Sequence, residues 1–170
     1  MPLSMHAASS QVFTRTLQNM LAWLDKAEAH AAAKKFDAAS FLTWRLTPDM
    51  LPFTRQIQIA SDTAKLCVAR LAGVEAPKWP DDEKSFAELR ARIRKAIDYL
   101  QSVPAAKLDG AESREIELPL GPGRTIKLSG EAMLGGFSLP NFFFHATMTY
   151  ALLRQGGVEL GKMDYLGAVS

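Results

Sequence analysis

Apolar residues recur at three- and four-residue steps in four stretches of the chain, and each recurrence predicts a helix with one buried face. The first helix is expected from about Ser4 to Ala33, with Phe13, Leu17, Met20, Leu24 and Ala27 on one stripe and Gln11, Arg15, Gln18 and Asp25 on the other side. Its alanine-rich tail, Ala27 to Ala33, adds helix propensity. The second is expected to begin at Thr47-Pro48-Asp49, with the threonine as cap and the proline at the first helical position. It carries Phe53, Ile57, Ala60, Ala64, Cys67, Val68 and Leu71 on to a stop at Gly73. The third, about Phe86 to Gln101, opens on a capping box made by Ser85 and Glu88 and continues through Leu89, Ile93, Ile97 and Leu100. The fourth, about Pro140 to Gln155 with Ser138 or Leu139 near its cap, is apolar on nearly every side, from Phe142, Phe143 and Phe144 to Leu152 and Leu153. That pattern predicts the central, buried helix.

After Arg114 the period changes to two. Glu115-Ile116-Glu117-Leu118 and Thr125-Ile126-Lys127-Leu128 alternate polar and apolar around the turn Leu120-Gly121-Pro122-Gly123-Arg124, which predicts a β-hairpin. Val74 to Asp82, with Pro77, Trp79 and Pro80, reads as a loop, and Gly161 to Gly167 as an ordered loop whose Met163, Tyr165 and Leu166 want cover. The pattern as a whole predicts a mainly α protein, a bundle of about four helices with a small hairpin between the third and fourth.

Composition narrows the function classes. A length of 170 residues with 48% hydrophobic and 22% charged residues fits one globular domain spanning residues 1–170. A formal net charge of +2 is too small to argue for nucleic acid or an anionic membrane. The basic run Arg90, Arg92, Arg94 and Lys95 alternates around the third helix and reads as a solvated face. The single cysteine, Cys67, cannot form an internal disulfide, and Met1 to His6 lacks a secretory pattern, so a cytoplasmic location is expected. From Ala132 to Leu153 there is no Asp, Glu, Lys or Arg, a length near that of a membrane span. Gly135, Gly136, Ser138, Pro140, Asn141 and His145 argue against a span, and Pro140 is expected to divide the stretch into a loop and a buried helix.

His145 is the position where chemistry is most readily placed. At about 100° per residue it shares a stripe with Asn141, Met148, Thr149 and Leu152, so a histidine and an asparagine inside a phenylalanine-rich helix must find hydrogen-bond partners. Two readings stand: a buried histidine satisfied across the bundle, or a polar pocket between helices. On the second helix, Arg55, Gln58, Asp62 and Lys65 fall together and read as a solvated polar face, whereas Gln56 lies near Ala60, Thr63 and Cys67 and is the more inward polar residue. No His-x-x-x-His, His-Glu-x-x-His or cysteine pair supplies a zinc motif. Of the other histidines, His6 is in phase with Phe13 and Leu17 but close to a terminus, and His30 is expected to be exposed. The glycine turn lacks the Lys-Ser/Thr of a phosphate loop, and Cys67 on an apolar face reads as inert packing.

The segment from Leu139 to His145, Leu-Pro-Asn-Phe-Phe-Phe-His, with its continuation to Gly157 and the tail from Leu160 to Gly167, resembles a group of bacterial domains of unknown function. The stretch from Leu46 to Asp62 and the loop into Ser85-Phe86 resemble the same group. That group is similar to the DinB/YfiT-like superfamily, and the resemblance implies an antiparallel four-helix bundle. Many members of the superfamily hold a divalent metal through three histidines, and some are thiol-dependent transferases. The positions matching its two fourth-helix histidines are Asn141 and His145, and the second-helix histidine is matched by Gln56 or Gln58. Amide carbonyls are poor ligands beside imidazole. The resemblance therefore implies an incomplete metal triad: no cofactor is expected, although a divalent metal stays possible, and the implied pocket is Gln56, Gln58, Asn141 and His145. Three functions follow as expectations. One is a module binding a small molecule. Another is an enzyme, transferase or hydrolase-like, using His145 as general base or metal ligand with Asp62 as the partner carboxylate. The third is a homodimer joined through the hairpin or through exposed Trp79, Pro80 and Phe86.

Overall fold

A computed structural model of the protein describes residues 3–119 and 121–168. The chain enters through one wide π-helical turn, Ala7–Gln11, that runs directly into α1, Val12–Lys34. α2 spans Phe53–Ala72, so it starts about one and a half turns later than Thr47-Pro48-Asp49 suggests. The Thr47 hydroxyl donates to the Asp49 carboxylate at 2.7 Å, and Met50 N–H closes a turn on the Thr47 carbonyl, so the expected cap is used up in a turn. The second proline sets the start instead. A residue before proline is pushed out of the helical region, and Pro52 itself is extended, with ψ 164°, as the cap of α2. Gly73, left-handed at φ 67°, closes the helix as expected.

α3, Phe86–Ser102, begins on the anticipated Ser85 cap, whose Oγ accepts the Glu88 N–H at 3.2 Å, while the Glu88 carboxylate reaches one residue further back than a capping box requires and accepts the Lys84 N–H at 2.6 Å. The hairpin pairs β1, Glu115–Pro119, with β2, Thr125–Ser129, placing Ile116 opposite Leu128 and Leu118 opposite Ile126. Leu120, the first residue of the expected turn, lies outside the described residues.

The stretch before Pro140 is helical, contrary to the loop expected there. α4, Gly130–Met133, passes through a π-helical turn, Leu134–Ser138, into α5, Leu139–Gln155. A proline ring in a regular helix collides with the carbonyl four residues back. The wider turn falls just where that carbonyl, of Gly136, would meet Pro140. The tail also differs from expectation, with a short helix α6, Lys162–Leu166, in place of a loop. Tyr165 stacks on Trp23 at 5.5 Å, whereas Met163 and Leu166 stay exposed.

The four long helices pack on one another, α2 against α3 and α5, and α1 against α3 and α5. They share one apolar cluster that includes Phe13, Trp23, Ile57, Leu71, Ile93 and Phe142. α5 is not buried all round: Phe144 is 50% exposed, and Pro140 and Thr147 also face out. No helix among the described residues is long and apolar enough to cross a membrane.

Two contacts fix the hairpin against the end of α2. A Cβ on Gly130 would lie 1.9 Å from the Ala111 carbonyl oxygen, so only glycine allows this approach. The Gly130 N–H donates to the Arg114 carbonyl at 2.9 Å, and the Arg114 guanidinium donates to the Leu71 carbonyl in the last turn of α2.

Candidate functional site

The packing of α5 on α2 brings His145 and Gln56 together. His145 is 7% exposed and Gln56 is buried, and His145 Nδ1 lies 2.7 Å from Gln56 Oε1. Gln56 Nε2 donates to the Leu51 carbonyl at 2.8 Å, which orients the amide with its oxygen toward the imidazole. Nδ1 must then be the donor, and in the neutral ring the lone pair sits on Nε2. Burial, and secondly the charge of Arg55, push the His145 pKa below its ordinary value of 6.5 and favour that neutral form. The Thr149 hydroxyl donates to the His145 carbonyl at 3.0 Å, within the same stripe.

Asn141 lies one turn earlier on α5 and meets a different residue of α2. Its Nδ2 donates to Thr63 Oγ1 at 2.8 Å. The two helices are thereby joined by two polar bridges, His145 to Gln56 and Asn141 to Thr63. Beside the second bridge opens a cleft of about 370 Å³. Asp62, Thr63, Arg70, Ser138 and Asn141 give it polar groups, and Ile59, Leu66, Leu118, Pro119 and Phe137 give it apolar walls. The π-helical turn supplies Phe137 and Ser138, and the anchored hairpin supplies Leu118 and Pro119. Cys67 is fully buried, and burial pushes its thiol up to about 12, as expected of inert packing.

Gln58 and Asp62 do not join His145. Gln58 Nε2 donates to Glu83 at 2.7 Å, and Gln58 Oε1 accepts from Arg55 at 2.7 Å. Asp62 pairs with Lys65 at 2.7 Å and lies 3.0 Å from Arg92 Nη2, so its carboxylate is held by cations and forms no bond to the imidazole. The expected solvated face of α2 is covered at Gln58 and Lys65, while Arg55 and Asp62 stay partly exposed. Gln58 is 2% and Lys65 4% exposed.

The cover is the loop between α2 and α3, tied down by Arg92. This residue is 3% exposed, and its guanidinium lies within 3.0 Å of Asp62, Asp81 and Glu83 while donating to the Pro80 carbonyl at 2.8 Å. The approaches of Nη2 to Asp62 and Asp81 are charge pairing without hydrogen-bond angles. Trp79 sits half-buried among Lys65, Lys95 and Arg92, with Lys65 Nζ 4.2 Å from its ring centre. Phe86 is buried and stacks on Phe53 at 5.8 Å. Arg92 is thus no solvated residue, and Trp79 and Phe86 do not provide the exposed surface expected of a dimer contact. The i, i+3 spacing of Asp62 and Lys65 is the only signal of this network in the sequence, because the acids that complete it come from an aperiodic loop.

The donors present do not fit a three-histidine metal centre. His6 and His30 lie at the N-terminal turn and on α1, His30 against Phe36, and only His145 reaches the α2–α5 seam. Its neighbours there are amides and hydroxyls, and among the described residues no three His, Cys, Asp or Glu side chains gather in a metal-holding group.

Comparison with known proteins places the chain. Residues 5–166 match the family described as domain of unknown function DUF1993. A crystal structure of a DinB family member protein from Shewanella denitrificans, at 1.83 Å resolution, has the same fold with a TM-score of 0.90 and 42% identity, covering 96% of this chain and 92% of that one. No curated protein matches the chain. On the match across nearly its full length, the chain belongs to the DinB-like family of domains of unknown function, DUF1993.

Proposed function

We propose that this protein is a small-molecule-binding module, an antiparallel four-helix bundle of the DinB type whose α2–α5 seam serves as the pocket without a resident metal. The observation that carries the reading is the cleft beside the Asn141–Thr63 bridge, where a few polar groups are set into walls of Ile59, Leu66, Leu118 and Phe137. Convergent polar groups on an apolar wall are the usual make-up of a small-molecule site. The His145–Gln56 pair on the same seam is hydrogen-bonded to itself, and the resemblance to DinB/YfiT-like bundles matches His145, with Gln56 or Gln58, to positions where metal-binding members carry histidines. A fragment soak of crystals tests the reading. Occupancy in the cleft, lost in Asn141→Leu, is the expected result; fragments that bind elsewhere and leave the cleft empty overturn it.

A second reading is favoured by one observation, the neutral His145 with its lone pair on Nε2 and Gln56 as the group that orients it. A ring so held is suited to act as a general base. Asp62 has no part in this version, since its carboxylate is committed to Lys65 and Arg92. Hydrolysis of an activated ester that disappears in His145→Ala supports the enzyme; an unchanged background rate removes it.

A further inference from the structure

Resting on the pocket reading above, we propose that the α2–α5 cleft takes an organic monocarboxylate with an apolar body, and that Arg70 receives its charged end. Arg70 stands in the last turn of α2, half-buried, with its side chain on the cleft. Among the described residues no carboxylate lies within 4.0 Å of its guanidinium and no acceptor is hydrogen-bonded to it, whereas the other covered cations are answered. Arg92 has Asp62, Asp81 and Glu83, Lys65 has Asp62, and Arg90 has Asp25 and Glu28. In the cleft near Gln58, Arg55 is likewise answered by Asp81, and Gln58 by Glu83.

A guanidinium partly withdrawn from water and left without a counter-charge is unfavourable, and an incoming carboxylate relieves it through two parallel N–H···O bonds. Burial already lowers the pKa of Arg70, in keeping with an environment that lacks an anion. One guanidinium balances one negative charge, and Arg70 is the one Lys or Arg among the described residues lining the cleft, so a carboxylate suits the site better than a phosphate dianion. The volume of about 370 Å³ is at the small end for ligand pockets, which fits an aryl or short alkyl acid. Ile59, Leu66 and Phe137 would cover that body. Thr63, whose hydroxyl oxygen already accepts from Asn141, keeps its own proton to donate.

The test is a titration of the full chain followed by amide NMR, with phenylacetate, its uncharged counterpart phenylacetamide, and phenyl phosphate as probes. Phenylacetate is expected to shift the signals of Leu66, Arg70 and Phe137 and to bind about tenfold or more tightly than phenylacetamide. Arg70→Gln should erase that preference, leaving the two probes alike, and Arg70→Lys should keep only part of it because an ammonium lacks the fork. Equal binding of the charged and uncharged probes by the unaltered protein, or a preference that survives Arg70→Gln, overturns the carboxylate assignment and leaves the pocket standing. Tighter binding of phenyl phosphate overturns it in favour of a phosphate ligand. If no probe moves these signals at millimolar concentration, the pocket reading falls with it.

Discussion

His145 and Gln56 form a buried polar pair: His145 Nδ1–H donates to Gln56 Oε1 at 2.7 Å, and the Gln56 amide gives one of its two N–H groups to the Leu51 carbonyl. Two buried polar side chains on different helices thus satisfy one another and fix how α5 sits on α2. Replacing His145 with Ala leaves Gln56 Oε1 buried and unpaired and should lower stability by about 1–3 kcal/mol. Gln56→Leu strands Nδ1 in the same way. A double-mutant cycle by urea denaturation should return a coupling of roughly 0.5–3 kcal/mol, and additive losses would show that the pair contributes no mutual stabilisation.

The same pair gives stability a pH dependence. The folded-state pKa of His145 lies below the ordinary 6.5 because of burial and then Arg55. Above pH 6.5 the ring is neutral both folded and unfolded, and the protein has its full stability. As the pH falls below about 6.5 the unfolded chain takes up the proton first, so stability declines until the folded-state pKa is passed. Urea midpoints should drop between pH 7 and pH 5, and the drop should be smaller in His145→Gln. Asp81 and Asp164, whose carboxyls are held below 3.8, add their losses at lower pH still. An identical drop in the variant would count against this assignment.

Arg92 should be the most sensitive single position on α3. Removing a buried cation that faces Asp62, Asp81 and Glu83 takes the counter-charge from buried Glu83 and leaves Asp62 and Asp81 to Lys65 and Arg55, and Arg92→Ala should cost about 2–3 kcal/mol, below the full buried-pair scale because two of the acids are partly solvated. The loss should be visible as release of the loop around Trp79, read by its fluorescence or by hydrogen exchange at residues 74–84. A mildly destabilised Arg92→Ala with an unchanged loop would show that the loop is held by other contacts.

Gly130→Ala tests the seat of the hairpin. A methyl group 1.9 Å from the Ala111 carbonyl cannot be accommodated without moving backbone. The expected loss is about 1–3 kcal/mol, the usual scale of overpacking, with amide shifts confined to the hairpin and the cleft wall. Gly135→Ala, where the added group meets nothing within 4 Å, is the control that should cost little.

Periodicity made much of this legible. The stripes of α1, α2 and α3 are buried where the spacing puts them, and Gln56 was separable from its polar neighbours because it falls on the apolar side of α2. Gln58, Lys65 and Arg92 were not separable, because helical phase tells which side a residue is on but not what folds over that side. The covering loop carries Pro77, Trp79 and Pro80 in no repeat, and its acids reach Arg92 only in three dimensions. The sequence does not fix the start of α2, because Thr47-Pro48 and Leu51-Pro52 both offer a proline-led start, and contacts such as Phe53 N–H to the Trp44 carbonyl distinguish them. The π-helical turn was hidden because Pro140 and two glycines ordinarily signal a loop. That Asn141 meets Thr63 is a matter of register between two helices, which one chain's pattern does not encode.

The central claim, that the α2–α5 seam works without a metal, is tested most directly by elemental analysis of the protein purified without chelator from metal-replete medium. The account predicts zinc, nickel, iron and manganese each well below one equivalent per chain, and no change in His145→Ala. One equivalent of a transition metal per chain, lost in His145→Ala, would contradict it.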